Sequence, residues 1–453
     1  MGIYQIALSV FFLLSTVTAS GLPLTFSRKT AEFRTLKESR AEQGLLSSSL
    51  LWGTVVSSAF VVALYLLNGN AVVFFSDSRA LPLFFILLPC LITTTLYSII
   101  RGWLMGKKDF FTYSITEFSE CIIRVILGVL FINGIVFGMR GAVGAATAFL
   151  LSDIICAVML IVLLFAKGAK LAKPNGLKKI LPNVASVTGV RLYSSAVTSL
   201  IAVFLPMQLV AAGLTQNLAV AEYGRIVGMV MPLLFAPFSL TGSLSVVLLP
   251  SAAADKAGGF TSALTLKIEK SLMLAVLFSS LFLCLYLPLG EEICRLLFND
   301  SGTGKYLIYG AIIMLPMNIN QISSSLLNSL GHEGKTLINY VLGTVLLLSS
   351  ILFLTGSLGA FSLIIGLGLC YTLTAILNVR LLYKYSRFNF SFVKAMICSF
   401  VLAISIALIC TLFKAILQLS DFWTIMICCV FACMFYGIFV SLLGFIEPKK
   451  LFK

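Results

Sequence analysis

Apolar runs of roughly 20 residues follow one another along the whole chain, parted by short segments where Lys, Arg, Asn and Gly collect. A run of that length crosses the ~30 Å hydrocarbon core of a bilayer as a helix. The runs lack the alternation, over about ten residues, that the strands of a membrane barrel would show. The pattern predicts an all-α integral membrane protein of about 13 spans: 3–26, 45–67, 81–100, 112–133, 141–166, 183–213, 222–250, 268–289, 305–328, 335–355, 359–380, 392–413 and 422–445. The first run has no basic segment before it and continues through Gly21-Leu22-Pro23 into a basic stretch, so it reads as a retained span rather than a signal peptide.

Composition agrees with the pattern. Of 453 residues, 59% are hydrophobic and 11% charged, and the mean hydropathy is +1.06. The net charge of +15 would suggest nucleic acid until the cations are placed. With segment 28–43 taken as cytoplasmic, 24 of the 32 Lys and Arg fall on that side, 5 on the other and 3 (Arg124, Arg191, Arg225) within spans. This asymmetry orients the chain in a membrane, places the C-terminus in the cytoplasm and argues against nucleic acid as a partner. The 11 cysteines form no CxxC pair and read as buried apolar thiols.

A repeat divides the chain. LPLTFSRKTAE at the end of the first span matches LLPSAAADKA at the end of the seventh. Gly106, 83 residues after Pro23, matches Gly331, 81 after Pro250. Both pairs end helices running the same way, which indicates parallel repeats related by an axis along the membrane normal. The expected organisation is a five-span lobe over 1–175, a six-span lobe over 176–388, and two more spans with a basic tail over 389–453. On this count the first lobe lacks one helix before Met1.

The stretch Arg101–Val125 carries the most chemistry. A basic loop (Arg101, Lys107, Lys108) leads into a helix on which Glu117, Glu120 and Arg124 share one face. For a helix entering the membrane near Thr112, Arg124 lies about 18 Å in, near the midplane. A charge there costs ~2.5–3.5 kcal/mol or more, so this face meets partners or a wet cavity, not lipid. Two readings stand: a Glu120–Arg124 pair that locks helices, or one wall of an aqueous cavity. Asp153, Arg191 and Arg225 are further charges within spans. The arginines suit bidentate binding of phosphate or pairing with Glu117, Glu120, Asp153 and Glu222, and Asp153 is a candidate ion-coupling carboxylate. Pro206, Pro232, Pro237 and Pro316 interrupt long spans, and Asn318, Asn320, Gln321 and Ser323–Ser325 form a polar face suited to lining a cavity or joining helices. The single histidine, His332, leaves no triad or metal site, no Walker-type loop is present, and Glu291–Glu292 and Asp77 do not make the acidic pair of a membrane glycosyltransferase. No enzyme, metal or cofactor is expected.

GIYQIALSVFFLLSTVTASGLPLTFSRKTAEF and IIRGWLMGKKDFFTYSITEFSECIIRV resemble the stage V sporulation protein B branch of the MOP (multidrug/oligosaccharidyl-lipid/polysaccharide) exporter superfamily. The matches to that branch's GLPLAxS and RGxxxGxxxxxPTAxSQxxEQxxRV signatures are Gly21–Leu24, Ser27, Arg101, Gly102, Gly106, Glu117, Glu120 and Arg124. Phe111-Thr112-Tyr113 stands where Pro-Thr-Ala is usual. EYGRIVGMVMPLLFAPFSLTGSLSVVLLPSAAAD resembles the same family and the lipid II flippases. The resemblance implies a MATE-like fold with two lobes in a V around a central cavity, fourteen helices in the family, and a start inside the family's second helix. It implies transport of an undecaprenyl-pyrophosphate-linked saccharide, peptidoglycan first, across a bacterial inner membrane by a monomer among membrane lipids. Arg124, Arg191 and Arg225, with Glu117 and Glu120, would form the substrate site. The alternatives are a flippase for another polysaccharide intermediate and a cation-coupled drug exporter centred on Asp153.

Overall fold

The computed structural model describes residues 1–19, 21–35, 38–67, 75, 77–135, 138, 141–242, 261–417 and 420–443, and is helical throughout them apart from short connections. Among the described residues, ten helical stretches are long and apolar enough to cross a membrane, and eleven when one bent pair is counted as a span. Two predicted spans do not meet that test. Residues 112–133 form the 23-residue helix α6 (Phe110–Ile132), which carries three charges. Residues 305–328 form two shorter helices, Gly302–Ala311 and Met314–Ser329.

The chain divides into two compact units, 1–207 with 215–221, and 208–214 with 222–453. The first contains α1 (Gly2–Ala19), α2 (Gly21–Thr35), α3 (Ser39–Leu67), α4 (Ala80–Leu87), α5 (Cys90–Gly106), α6, α7 (Gly141–Ala166) and most of α8 (Leu177–Ala211). Its core joins α2, α3, α5 and α7 through Leu22, Phe26, Leu45, Ile99, Trp103 and Leu160. The expected basic loop after residue 26 is instead continuous helix to Thr35. Its charges hold that helix beyond the apolar run: Lys29 pairs with Glu32 one turn on, at 2.7 Å, and Arg34 donates to the Lys107 carbonyl at 3.0 Å.

Gly102 and Gly106 of α5 face α2. A Cβ on Gly102 would stand 2.6 Å from the Pro23 carbonyl oxygen, and one on Gly106 would stand 2.8 Å from that of Ser27. The GxxxG spacing lets the two backbones touch, so the residues of both resemblance motifs meet as one helix crossing.

The second unit holds the remainder of α9 (Gln216–Arg225), which runs on through one π-helical turn (Ile226–Val230) to residue 242. It also holds α10 (Thr261–Phe298), α11 (Gly302–Ala311), α12 (Met314–Ser329), α13 (Glu333–Leu358), α14 (Phe361–Ser386), α15 (Ser391–Leu417) and α16 (Asp421–Leu442). Its core includes Ile268, Leu272, Ile322, Leu326 and Leu382, drawn from α10, α12 and α14.

Each unit breaks a helix within a predicted span, the third span in the first unit and the ninth in the second. Between α4 and α5 the axis bends by 43°, at Leu88–Pro89. Between α11 and α12 the helix stops at Ile312–Ile313, just before Pro316. Each proline withholds an amide from the preceding turn, and each broken pair then runs to the matched Gly106 or Gly331. The other intramembrane prolines differ from expectation. Pro206 and Pro237 lie within unbroken helix, and Pro232 follows the π turn, which absorbs the lost hydrogen bond. Residues 243–260, with Pro250 of the seventh-span motif, lie outside the described residues.

The polar face of the ninth predicted span joins helices. Asn318 is fully buried; its carbonyl accepts from Thr241 at 2.5 Å, and its amide donates to Ser279 Oγ at 2.8 Å and the Met314 carbonyl at 3.0 Å. Asn378 of α14 donates to Asn320 and Ser324, each at 2.9 Å. All 11 cysteines are free, and seven of them are buried.

Candidate functional site

Asp109 begins α6. Its carboxylate accepts from the Thr112 amide at 3.2 Å and pairs with Lys167 at 2.8 Å. The Lys167 ammonium, with Thr112 beside it, holds the Asp109 carboxyl below its usual range. From that cap, α6 presents Glu117, Glu120 and Arg124 to α5 and α7.

Arg101 of α5 places Nη2 2.6 Å from Glu120 Oε2 and Nη1 3.7 Å from Glu117 Oε1. Arg124 reaches Glu120 Oε1 at 2.5 Å with the same Nη2 that lies 3.0 Å from Asp153 Oδ1 on α7. Thr94 donates to the second oxygen of Asp153 at 2.9 Å. Tyr113 donates to Glu117 at 2.8 Å, Tyr97 lies under the Arg101 guanidinium at 4.9 Å, and Phe149 lies under that of Arg124 at 4.5 Å. Five ionisable side chains on three helices thus form one continuous network.

Burial grades across it. Asp153 has no exposed surface, the Glu120 side chain is 10% exposed, Arg124 36% and Glu117 49%. Charges inside a membrane bundle cost least when each finds a counter-charge, which fixes the pairing of α5, α6 and α7. The order also gives the network an open end, at Glu117 and Arg124. The Nε–H groups of Arg101 and Arg124 are buried and have no hydrogen-bond partner among the described residues.

The structure therefore joins Glu117, Glu120, Arg124 and Asp153 and adds Arg101, which the sequence placed in a loop; it stands within α5, five residues before the helix ends. A sequence signal was present: Tyr97 and Arg101 are four apart, the spacing at which a ring and a cation stack on one helix face.

Arg225 belongs to a separate network in the second unit. Its Nη1 pairs with Glu222 at 2.6 Å and its Nε with Asp300 at 2.7 Å, while Tyr306 donates to Glu222 at 2.5 Å. Asp300 also accepts from the Gly302 amide at 2.9 Å. Burial works to raise the Asp300 carboxyl, but the Arg225 guanidinium outweighs it and holds it below its usual range. Asp300 is 75 residues from Arg225. Arg191 is exposed on α8.

Comparisons with known proteins agree with this architecture. Residues 1–254 match the polysaccharide biosynthesis protein family. Stage V sporulation protein B of Bacillus subtilis (strain 168) is 23% identical over 426 residues, covering 88% of this chain and 82% of that one. Among solved structures, the lipid II flippase MurJ in an inward closed conformation superposes with a TM-score of 0.71 at 16% identity, over 100% of this chain and 93% of that one. An inward-facing multidrug resistance MATE family transporter of the MOP superfamily gives 0.71 at 16% identity, over 85% and 92%. This chain is a member of the polysaccharide biosynthesis protein family, with the all-helical fold of the MOP-superfamily transporters.

Proposed function

We propose that this chain is a membrane flippase that moves an undecaprenyl-pyrophosphate-linked saccharide, a peptidoglycan precursor first, from the inner to the outer leaflet of a bacterial inner membrane by alternating access. The observation that carries the proposal is the graded charge network on α5, α6 and α7. Its partly exposed arginine, Arg124, shares one Nη between two carboxylates, Glu120 and Asp153. A pyrophosphate arriving at Arg124 takes a bidentate place on the guanidinium and releases a carboxylate to Arg101. Phosphate binding is then an exchange of anions within a network already paid in desolvation, not the filling of a bare positive pocket. Arg191 in the first unit and Arg225 in the second are further candidates for phosphate contact, and Glu117 for a sugar hydroxyl. Family membership and the sporulation-protein relative support the reading.

A second reading, a cation-coupled exporter, draws on the same network. It holds three carboxylates against two arginines, and Asp153 is fully buried. In that reading Asp153 takes up the coupling ion and Glu117 faces a cationic substrate.

Cells depleted of their own lipid II flippase provide the test, with membrane abundance of each variant measured alongside growth and outer-leaflet precursor. Rescue by the wild type, lost on Arg124→Ala and kept on Asp153→Asn, supports the flippase. Rescue failing with a wild type that is present in the membrane and protects cells from cationic drugs sinks the peptidoglycan assignment.

A further inference from the structure

We infer that the second unit carries a binding site for an anionic phospholipid, its headgroup on Lys335, Arg380, Lys384 and Arg387 and one acyl chain in the groove between α12, α14 and α15. Two adjoining hollows make the site. The first, about 690 Å³, contains those four cations and no carboxylate. The second, about 630 Å³, is walled by Leu315, Ile319, Ile376, Val379, Phe392 and Met396 among others, and is almost wholly apolar. Arg380 and Tyr383 line both, so the two hollows meet at these side chains.

Charge complementarity sets the occupant's head. No carboxylate lies within ion-pair distance of Arg380, Lys384 or Arg387 among the described residues, whereas Arg79, Arg101, Arg124, Arg225 and Arg295 all have one. Lys335 donates to the Tyr385 hydroxyl and lies over its ring, and among the described residues no carboxylate lies within ion-pair distance of it. Arg387 caps α14 in the left-handed region, at φ 44°, where glycine is the residue that costs least. An arginine at that position keeps a cation at the mouth of the groove.

Length sets the tail. From Arg380 to Gly368, the far end of the apolar groove on α14, the helix rises about 18 Å, close to the ~15 Å of one leaflet's hydrocarbon. An ordinary acyl chain therefore fills the groove from a headgroup at the cations. Beyond Gly368, Ile312 and Ile313 lead to a further apolar hollow of about 440 Å³, which only a longer chain would reach. The inference does not depend on which substrate the protein carries.

The test is lipid retention by the full chain purified in a zwitterionic detergent, read by native mass spectrometry with phosphatidylglycerol and phosphatidylcholine of equal chain length. The wild type retains phosphatidylglycerol in preference. R380Q/K384Q/R387Q lowers that preference by about tenfold or more, since it removes three cations that attract an anionic headgroup. Thr372→Trp, which sets an indole into the groove, lowers retention of both lipids. All four altered positions are exposed, so both variants should keep the wild-type melting temperature. Equal retention of the two lipids by the wild type overturns the inference, as does an unchanged preference in the charge variant. Displacement by free pyrophosphate with no effect of Thr372→Trp would make the cations a solute anion site instead. Preferred retention of undecaprenyl phosphate over phosphatidylglycerol would assign the groove to the carrier lipid.

Discussion

Arg124 Nη2 and Asp153 Oδ1 stand 3.0 Å apart, across the contact of α6 with α7, with Asp153 fully buried. Removing Arg124 leaves the buried Asp153 carboxylate with only the Thr94 hydroxyl, at about 3–5 kcal/mol, whereas removing Asp153 leaves the partly exposed Arg124 on Glu120 and costs less. Arg124→Leu and Asp153→Leu should each lower the melting temperature of the purified protein, and the double variant should recover part of the loss. A double-mutant cycle returning less than about 0.5 kcal/mol of coupling would show that the pair does not hold α6 to α7.

The α2–α5 crossing should tolerate no side chain at Gly102. Gly102→Leu would drive atoms through the Pro23 carbonyl, 2.6 Å from the position of its first carbon, and should abolish folded protein in the membrane. Gly128→Ala is the control: its added methyl meets nothing within 4 Å and raises helix propensity by about 1 kcal/mol. Comparable folded yields of the two variants, by fluorescence-detected size exclusion, would contradict the close approach.

Asn318 satisfies polar groups on three sides within the second unit. Asn318→Ala should cost about 1–2 kcal/mol, the upper range for intramembrane hydrogen bonds. Asn318→Leu should cost more, because the Thr241 and Ser279 hydroxyls are left facing an apolar group. Thermal unfolding that ranks leucine at or above asparagine would remove the joining role.

The Asp300–Arg225 pair makes stability depend on acid. Arg225 holds the Asp300 carboxyl below its ordinary value, about 3.9, so the folded state binds the proton less readily than the unfolded chain. Its contribution is present in full above that value and is lost as pH falls through the lower, folded one. Asp300→Asn should therefore lower the melting temperature at pH 7 and converge on the wild type in strong acid. A difference that stays constant from pH 7 to pH 3 would show that the carboxylate charge is not what Arg225 uses.

Arg225→Lys tests the fork. A guanidinium serves Glu222 with Nη1 and Asp300 with Nε at once, which a single ammonium cannot reproduce. Lysine should restore less than half of what Arg225→Ala loses in melting temperature. Full restoration would reduce the triad to a simple point charge.

Much of this molecule is written in local sequence. Runs of about 20 apolar residues need no partner to be read as membrane helices, because the bilayer itself selects them, and the cation asymmetry is set by the loops alone. The sequence pairs Pro23–Gly106 with Pro250–Gly331 as a repeat; Pro250 lies outside the described residues, and each unit breaks a helix well before the glycine of its pair, at Leu88–Pro89 and at Ile312–Ile313. The common face of Glu117, Glu120 and Arg124 followed from helical spacing. Four things did not follow. The sequence could not say that Arg101, 19 residues from Glu120, turns inward from α5, nor that Asp300 comes to Arg225 from 75 residues away. It could not show that Gly102 is small because Pro23 lies against it, or that four cations stand at the mouth of an apolar groove. Helix formation and the length of each apolar run are decided by neighbours in the chain and by the solvent, so sequence alone determines them. Which charges pair and which faces open depend on contacts between distant segments, whose register is set by packing, and only the tertiary structure decided those.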